Sequence, residues 1–248
     1  SVSLLVASAP AINANIPAMA KAFPNVPLST VELLTTISSM FLMISVLTSS
    51  FIARKIGYKQ TILLGIIIVA IFGTLPAFTH SFWLIMISRA LLGYGIGLFN
   101  SLLVTMISYF YHGEIRTSLF GMQSAFEGLG GIFITFVAGQ LLKINWQAPF
   151  YAYLLAVPVI LLFFIFVPNV QVEKKDEHIN EDGNNTYKGV LGYTFVIFIV
   201  SMLYMIMGIK VSTLMTSKGY GQASDASLVI IALGIGSMVS GSMFGSIL

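Results

Sequence analysis

The stretch SFIARKIGYK, residues 50–59, joins two long apolar segments of the chain. Each segment is long enough to cross the hydrocarbon layer of a membrane, which takes roughly 20 apolar residues in a helix. Gly57, together with Arg54, Lys55 and Lys59, predicts a tight turn in water between two spans. Because cationic turns between spans stay on the cytoplasmic side, this turn orients the rest of the chain.

The composition of the chain is typical of a polytopic membrane protein. Of its 248 residues, 57% are hydrophobic and only 8% are charged, whereas a soluble domain carries about 25% charged residues. The cations are spread between the apolar segments, so the net charge of +3 predicts no nucleic-acid partner. The chain has no cysteine, and His80, His112 and His178 fall in predicted loops or helix ends. We therefore expect neither a metal nor a cofactor.

Eight apolar segments predict an all-α protein with eight transmembrane helices. After the sixth segment, the polar stretch 169–188 has the acids, lysines, asparagines and glycine of a solvated linker. We expect this linker in the cytoplasm, between a six-helix unit, 1–168, and the first two helices of a second unit, 189–248. The segments cover residues 1–20, 30–53, 60–79, 82–109, 117–142, 148–168, 189–210 and 226–248.

The distribution of basic residues supports this path through the membrane. Seven Lys and Arg fall on the predicted inner side and four on the outer side, which is the direction of the positive-inside rule. Arg89 is the twelfth and falls inside a span. The inner residues are Arg54, Lys55, Lys59, Arg116, Lys174, Lys175 and Lys188, and the outer ones are Lys21, Lys143, Lys210 and Lys218.

A faint internal repeat indicates that the native chain is longer. Ser29 and Glu32 fit a capping box at the start of the second span. We therefore interpret Glu32 as a helix cap and not as a catalytic group. A shift of 195 residues lays Ser29 on Ser224, and the residue after Leu248 would then match Arg54. Two parallel six-helix halves are a known transporter architecture, so we expect twelve spans in all.

The basic stretch resembles the signature loop between helices 2 and 3 of the major facilitator superfamily. That loop reads Gly-x-x-x-Asp-Arg-x-Gly-Arg-Arg or Lys, and Lys55, Gly57 and Lys59 match it. Ser50 replaces the first glycine, and Arg54 replaces the acid. In the family this acid belongs to an inner-side charge network that locks the outward-facing state. The resemblance implies a conformational-switch loop. Because Arg54 reverses the charge of the acid, the lock either differs here or has the charge of its partner reversed as well.

Two further stretches bear on this resemblance. LIMISR, residues 84–89, followed by GYG, residues 93–95, is similar to the helix-4 signature of the family. Its buried arginine is implicated in proton coupling, and Arg89 occupies that position. The antiporter signature on helix 5 has a Gly-Pro pair before Gly-Gly, whereas ITFVAG, residues 134–139, keeps only one glycine. The resemblance implies secondary active transport, with a weak case for drug/proton antiport.

Arg89 and Glu127 are the two charged residues that we place well inside spans. An ionisable residue at such depth costs about 2.5–3.5 kcal/mol or more, so it normally faces a cavity and is functional. Arg89 lies roughly 10 Å below the outer end of its span, and Glu127 roughly 15 Å from the inner end of its own. This offset predicts a bridge by water or substrate. We hypothesise that Glu127 binds a proton or a substrate cation and that Arg89 tunes it. The alternative is a structural hydrogen-bonding pair.

Amides, tyrosines and glycines inside the spans complete the candidate residues. Amides and tyrosines there line cavities or bond neighbouring helices, and each taken singly is more often structural. Glycines allow close packing of helices. The cavity candidates are Asn13, Asn15, Asn100, Gln123, Tyr151, Tyr153 and Tyr204, and the packing glycines are Gly93, Gly95, Gly97, Gly130 and Gly139.

Together these features predict a multi-pass protein of the cell membrane that moves a small solute by proton-coupled alternating access. An aromatic and Met-rich lining with one buried acid slightly favours efflux of amphiphilic compounds. Two alternatives stay open: an uptake permease for a polar nutrient, and a non-transporting membrane sensor or assembly protein on the same fold. We expect no enzymatic activity, since no Ser/His pair or paired carboxylates fall at matching depth.

Overall fold

A computed structural model describes residues 2–6, 8, 13–167, 199–200, 202–203, 206, 210–222, 225–232 and 235–236. Within these ranges every regular element is a helix, and five helices are long and apolar enough to cross a membrane. They correspond to the five segments predicted between residues 30 and 168. The predicted linker 169–188 and Tyr204 lie outside the described residues, as does most of the last two predicted spans.

The long helices follow one another with short connections. Two 3-10 helices accompany them: Leu75–Phe78 continues the fourth helix, and Ala148–Leu155 leads into the seventh. Residues 210–217 and 225–232 are also helical. The α-helices are α1 Ser3–Val6, α2 Ile16–Ala22, α3 Leu28–Ile56, α4 Tyr58–Thr74, α5 Phe82–Phe110, α6 Gly113–Leu141 and α7 Ala156–Phe166.

The first predicted span, 1–20, is not one continuous α-helix in its described residues. α1 ends at Val6, Ser8 lies in a turn, and residues 13–15 form a 3-10 turn before α2. Pro17 lies in the first turn of α2. Proline is tolerated at that position because its missing N–H would have no helical partner there, whereas it breaks a helix that runs through it.

The basic turn is shorter than the sequence predicts, because both flanking helices extend into it. α3 continues to Ile56 and α4 begins at Tyr58, so Gly57 alone makes the turn. Its φ of 93° lies in the left-handed region that favours glycine. At the far end of α5 the next loop shortens in the same way: Glu114, predicted in the loop, is in the first turn of α6, where the helix dipole favours an acid.

The core of the bundle is built around α5, which packs against α3 on one side and α4 on the other. Ile85, Leu92 and Phe99 of α5 are fully buried in it. Three side-chain hydrogen bonds tie α5 to α3. Ser38 Oγ donates to the carbonyl oxygen of Arg89 at 3.0 Å, Ser101 Oγ donates to Ser49 Oγ at 2.6 Å, and the hydroxyl groups of Thr48 and Tyr94 are bonded at 3.1 Å. Such polar contacts hold helices together where lipid removes the hydrophobic driving force. These contacts hold α5 in place and thereby fix the position of Arg89.

The predicted capping box at the start of α3 is wrong. The helix begins at Leu28 with Pro27 as its cap residue and no side-chain cap bond, so Ser29 lies within the first turn. Glu32 instead accepts two hydrogen bonds from Lys210 Nζ, at 2.8 and 2.7 Å. A charged ammonium is a stronger partner for a carboxylate than a neutral amide. Lys210, predicted at the outer end of the seventh span, lies in a helix that continues to residue 217.

Candidate functional site

Arg89 lies seven residues into α5 and is only 3% exposed. Its Nη1 donates to the Tyr153 hydroxyl at 3.0 Å, and that hydroxyl donates to the carbonyl oxygen of Ser8 at 2.9 Å. The guanidinium carbon lies 4.8 Å from the ring centre of Phe150 and 5.2 Å from that of Tyr153. These distances are within the range of a cation–π contact. The guanidinium thus joins α5 to the 3-10 helix Ala148–Leu155 and to the chain after α1.

A cavity of about 10 Å³ lies beside Arg89, which is room for about one water molecule. Asn13, Thr35 and Ser38 line it, and Thr35 Oγ1 donates to Asn13 Oδ1 at 3.2 Å. Nε and Nη2 of Arg89 have no hydrogen-bond partner in the described part of the chain. The structure therefore brings Asn13 and Arg89 to one small cavity, whose remaining walls come from the apolar side chains of Ile16, Met19 and Leu34.

Glu127 stands at the midpoint of α6, with fourteen residues of the helix on either side. Because α6 begins at Gly113, Glu127 lies about 21 Å from the start of the helix, deeper than the sequence predicts. The Gln123 side-chain nitrogen donates to Glu127 Oε1 at 3.0 Å. Gln123 is buried, and its Oε1 has no partner among the described residues. A half-buried carboxylate and an amide therefore stand one turn apart at mid-depth, offering both hydrogen-bond acceptors and donors.

Arg89 and Glu127 do not pair directly. In the described ranges, the single ion pair joins Lys210 to Glu32. Arg89 is hydrogen-bonded to Tyr153, and Glu127 to Gln123. The two charged groups occupy separate environments, as their predicted difference in depth implies. Asn100 lies apart from both sets of contacts, and its buried Oδ1 has no partner within the described residues.

Tyr151 and Asn15 occupy different surroundings from Tyr153. Tyr151 is 40% exposed, and its ring packs edge-on against Phe78 with centroids 5.7 Å apart. A 3-10 helix has three residues per turn, so Phe150 and Tyr153 share the face over Arg89 and Tyr151 points elsewhere. The Asn15 side-chain nitrogen donates to the Trp146 carbonyl oxygen at 2.7 Å, which fixes the start of α2 to the loop after α6.

Four of the five candidate glycines lie where helices approach closely. A Cβ on Gly93 would collide with the backbone of Ser38 in α3, and one on Gly130 with the backbone of Leu4 in α1. A Cβ on Gly95 would lie 2.7 Å from the carbonyl oxygen of Gly65 in α4. Gly97 meets α3 at Leu42 and Ser45, and Gly139 is buried in α6.

The basic turn ties α4 to the end of α7. Lys59 Nζ donates to the carbonyl oxygen of Phe164 at 3.1 Å and lies 5.2 Å from the centre of its ring. A cation at the end of a helix satisfies its last carbonyls and complements its dipole. Lys55 lies over the ring of Phe51 at 4.5 Å, whereas Ser50 and Arg54 are exposed.

Sequence reasoning missed several partners of these residues. Thr35, Ser38 and the Ser8 carbonyl were not singled out, because Ser and Thr are common in membrane helices and a carbonyl has no sequence signature. Lys210 was counted only among the charges on the predicted outer side. A lysine in an otherwise apolar helix is itself a signal, but its partner, Glu32, is 178 residues away.

Comparison with known proteins places this arrangement in a family. The facilitated trehalose transporter Tret1 of Polypedilum vanderplanki is 32% identical over 108 residues, which is 43% of this chain and 21% of that protein. A D-xylose-proton symporter has a similar structure, with a TM-score of 0.64 at 13% identity over 96% of this chain and 65% of its own.

The proton:xylose symporter XylE, solved with 6-bromo-6-deoxy-D-glucose, gives a TM-score of 0.60 at 16% identity over 68% of this chain and 43% of its own. At these identities the likeness is one of fold, and the chain spans only part of each relative. The predicted all-α membrane bundle is confirmed. Because the family model of the Major Facilitator Superfamily matches residues 2–248, this chain belongs to that superfamily.

Proposed function

We propose that this chain takes part in the uptake of a polar nutrient, a sugar, by proton-coupled alternating access. The structural neighbours are described as proton symporters for xylose, and the matched curated protein as a trehalose transporter. These likenesses support the uptake alternative better than the efflux of amphiphilic compounds that the sequence slightly favours.

The observation that carries the proposal is the Gln123–Glu127 pair at the midpoint of α6. A sugar presents hydroxyl groups that both donate and accept. A carboxylate accepts from two such groups, and an amide donates and accepts. Transporter sites lie near the bilayer midplane, and the position of the pair at the midpoint of α6 supports such a site.

In this proposal Glu127 carries the proton, and Arg89 has a structural role. A carboxylic acid that faces water from alternate sides takes up a proton on one side and releases it on the other. Arg89 holds the Tyr153 hydroxyl and packs against Phe150, so it fixes the elements around α5 and does not touch Glu127. The sequence-based hypothesis that Arg89 tunes Glu127 is replaced here by an indirect role.

The test is uptake of radiolabelled xylose, glucose and trehalose by the full-length protein in proteoliposomes, with and without an inward proton gradient. We expect one sugar to accumulate above equilibrium only with the gradient. Glu127→Gln keeps the size and most hydrogen-bonding capacity of the side chain but cannot exchange a proton. It should abolish accumulation and leave equilibrium exchange of the sugar.

Glu114→Gln is the matched control, because Glu114 is an exposed acid in the first turn of the same helix. It should accumulate sugar as the parent does. Gradient-driven accumulation that persists in Glu127→Gln would show that another group carries the proton. Sugar binding without flux would favour a sensor, and export of lipophilic cations without sugar uptake would return the function to efflux.

A further inference from the structure

Arg89 carries a buried positive charge that none of the described acids balances. Within the described ranges its guanidinium takes part in no ion pair. One N–H group is bonded to the Tyr153 hydroxyl, and the rings of Phe150 and Tyr153 lie against the charge. A neutral hydroxyl and two aromatic rings offset only part of the cost of taking a full charge out of water. A buried arginine is normally accompanied by an anion.

The nine acidic residues of the sequence have other positions. Two of those described are bonded to side chains, one accepts from a backbone N–H, and one is exposed. These are, in that order, Glu32 and Glu127, Asp225, and Glu114. The other five fall in the linker 169–188, which we expect at the cytoplasmic end, whereas Arg89 lies near the predicted outer end of α5. The residues between Ser8 and Asn13 are alanine, proline and isoleucine, so their side chains carry no charge.

The cavity of about 10 Å³ beside Arg89 combines N–H donors with apolar walls. Nε and Nη2 of Arg89 carry three N–H groups, and neither atom has a hydrogen-bond partner in the described part of the chain. Asn13 Oδ1 already accepts from Thr35 Oγ1, which leaves the amide N–H groups of Asn13 as further donors. The apolar walls are formed by Ile16, Met19 and Leu34. This combination suits a small ligand that accepts hydrogen bonds and donates none.

We propose that this cavity binds one monatomic anion, chloride, between Arg89 and the Asn13 amide. The anion balances the buried charge and accepts from N–H groups that have no other described acceptor. A water molecule fits the same volume but leaves the charge unbalanced, and a polyatomic anion such as gluconate is too large. The site is separate from the Gln123–Glu127 pair, so the inference does not depend on the proposed uptake of a sugar.

The direct test is a crystal structure of the full-length protein with bromide in place of chloride. Bromide scatters anomalously at its absorption edge, whereas water does not. We expect an anomalous peak at hydrogen-bonding distance from Nε or Nη2 of Arg89. Density there without an anomalous signal would identify a water molecule and overturn the proposal. A carboxylate from a part of the full-length chain outside this sequence, placed against Arg89, would overturn it as well.

Thermal unfolding in detergent tests the same site in solution. Chloride replaces gluconate at constant ionic strength, so that general screening stays fixed. Once the site begins to fill, Tm should rise by roughly 1–3 °C for each tenfold increase in chloride, because the anion binds only the folded state. A Tm that is independent of chloride would overturn the proposal.

Arg89→Gln removes the charge and should abolish the dependence of Tm on chloride. Arg116→Gln is the matched control: Arg116 also lies over an aromatic ring, 5.5 Å from the centre of Phe120, but it is exposed. This variant should keep the full dependence on chloride. An equal dependence in Arg89→Gln and Arg116→Gln would show that chloride acts elsewhere on the protein.

Thr35→Val provides a milder variant that keeps Arg89 in place, should Arg89→Gln fail to fold. It removes the hydroxyl that holds the Asn13 amide. The chloride concentration at half effect should rise by about twofold to tenfold, the equivalent of one hydrogen bond. Thr35→Ser keeps the hydroxyl and should stay close to the parent. An unchanged concentration in Thr35→Val would exclude the Asn13 side of the site.

Discussion

At the scale of single residues, the surroundings of Arg89 show how a guanidinium is accommodated inside the bundle. One N–H group is bonded to the Tyr153 hydroxyl, and two aromatic rings cover the charge. No carboxylate lies against it in the part of the chain that the structure describes. Tyr153 is therefore the critical neighbour, because its single hydroxyl serves both the arginine and the Ser8 carbonyl.

Tyr153→Phe should destabilise the protein while leaving its packing intact. The substitution removes only the hydroxyl and leaves a buried guanidinium N–H and a carbonyl without this partner. Side-chain hydrogen bonds inside membrane proteins contribute about 0.6 kcal/mol on average and up to about 1.7, and we expect the upper part of this range because one partner is charged. Thermal unfolding in detergent measures the loss.

Tyr151→Phe, at an exposed position two residues away, should change stability by less than about 0.5 kcal/mol. Equal losses in the two variants would contradict this role.

At the scale of helices, glycine determines how closely α5 approaches its neighbours. Gly93 faces the backbone of α3, and Gly95 faces Gly65 of α4 in a mutual contact, since a Cβ on either would lie 2.7 Å from the other's carbonyl oxygen. Such close approach lets backbones make van der Waals contact, which replaces the hydrophobic effect within lipid. The position of Arg89, one turn before Gly93, depends on this spacing.

Gly93→Ala should push α5 away from α3. The added Cβ would collide with the backbone of Ser38, which cannot move aside as a flexible side chain would. We expect the free energy of unfolding to fall by about 1–3 kcal/mol, the usual cost of overpacking. Unfolding by denaturant in detergent measures it.

Gly121→Ala provides the comparison, because a Cβ at this α6 position meets nothing within 4 Å. Alanine favours a helix over glycine by about 1 kcal/mol, so stability should stay level or rise. If both variants lost stability equally, helix propensity and not close packing would govern these positions.

At the scale of the whole molecule, the two ends of the bundle are held by different chemistry. At the basic turn, Lys59 fastens α4 to the end of α7. At the opposite end, Lys210 spans a cleft to reach Glu32. The first contact joins elements within the predicted six-helix unit, and the second joins that unit to a segment beyond the predicted linker.

The positive-inside argument places the basic turn in the cytoplasm, and two exposed positions test this. In intact cells, a membrane-impermeant maleimide should label Lys143→Cys, which lies at the predicted outer end of α6, and should not label Arg54→Cys. Permeabilised cells should label both, since both residues are exposed. The reverse pattern would invert the proposed orientation and would place the Glu32–Lys210 ion pair on the inner side.

The sequence by itself determined the class of the fold and most of the path. Apolar runs of sufficient length and a basic turn leave few alternatives to a helical membrane bundle, because an unpaired backbone is too costly in lipid. The signature stretches 50–59 and 84–89 indicated the superfamily. Arg89 and Glu127 stood out for the same reason, as charges in segments that otherwise exclude them.

Only the tertiary structure decided which groups meet. In the structure, Arg89 is hydrogen-bonded to Tyr153 and Glu127 to Gln123. The first predicted span is interrupted before α2. Glu32, expected to cap a helix, instead binds Lys210. Helical periodicity determines which residues share one face of a helix, but it does not predict which other helix packs against that face. Hydrogen bonds and ion pairs act over about 3–4 Å, so these partners depend on helix contacts that the local sequence does not encode.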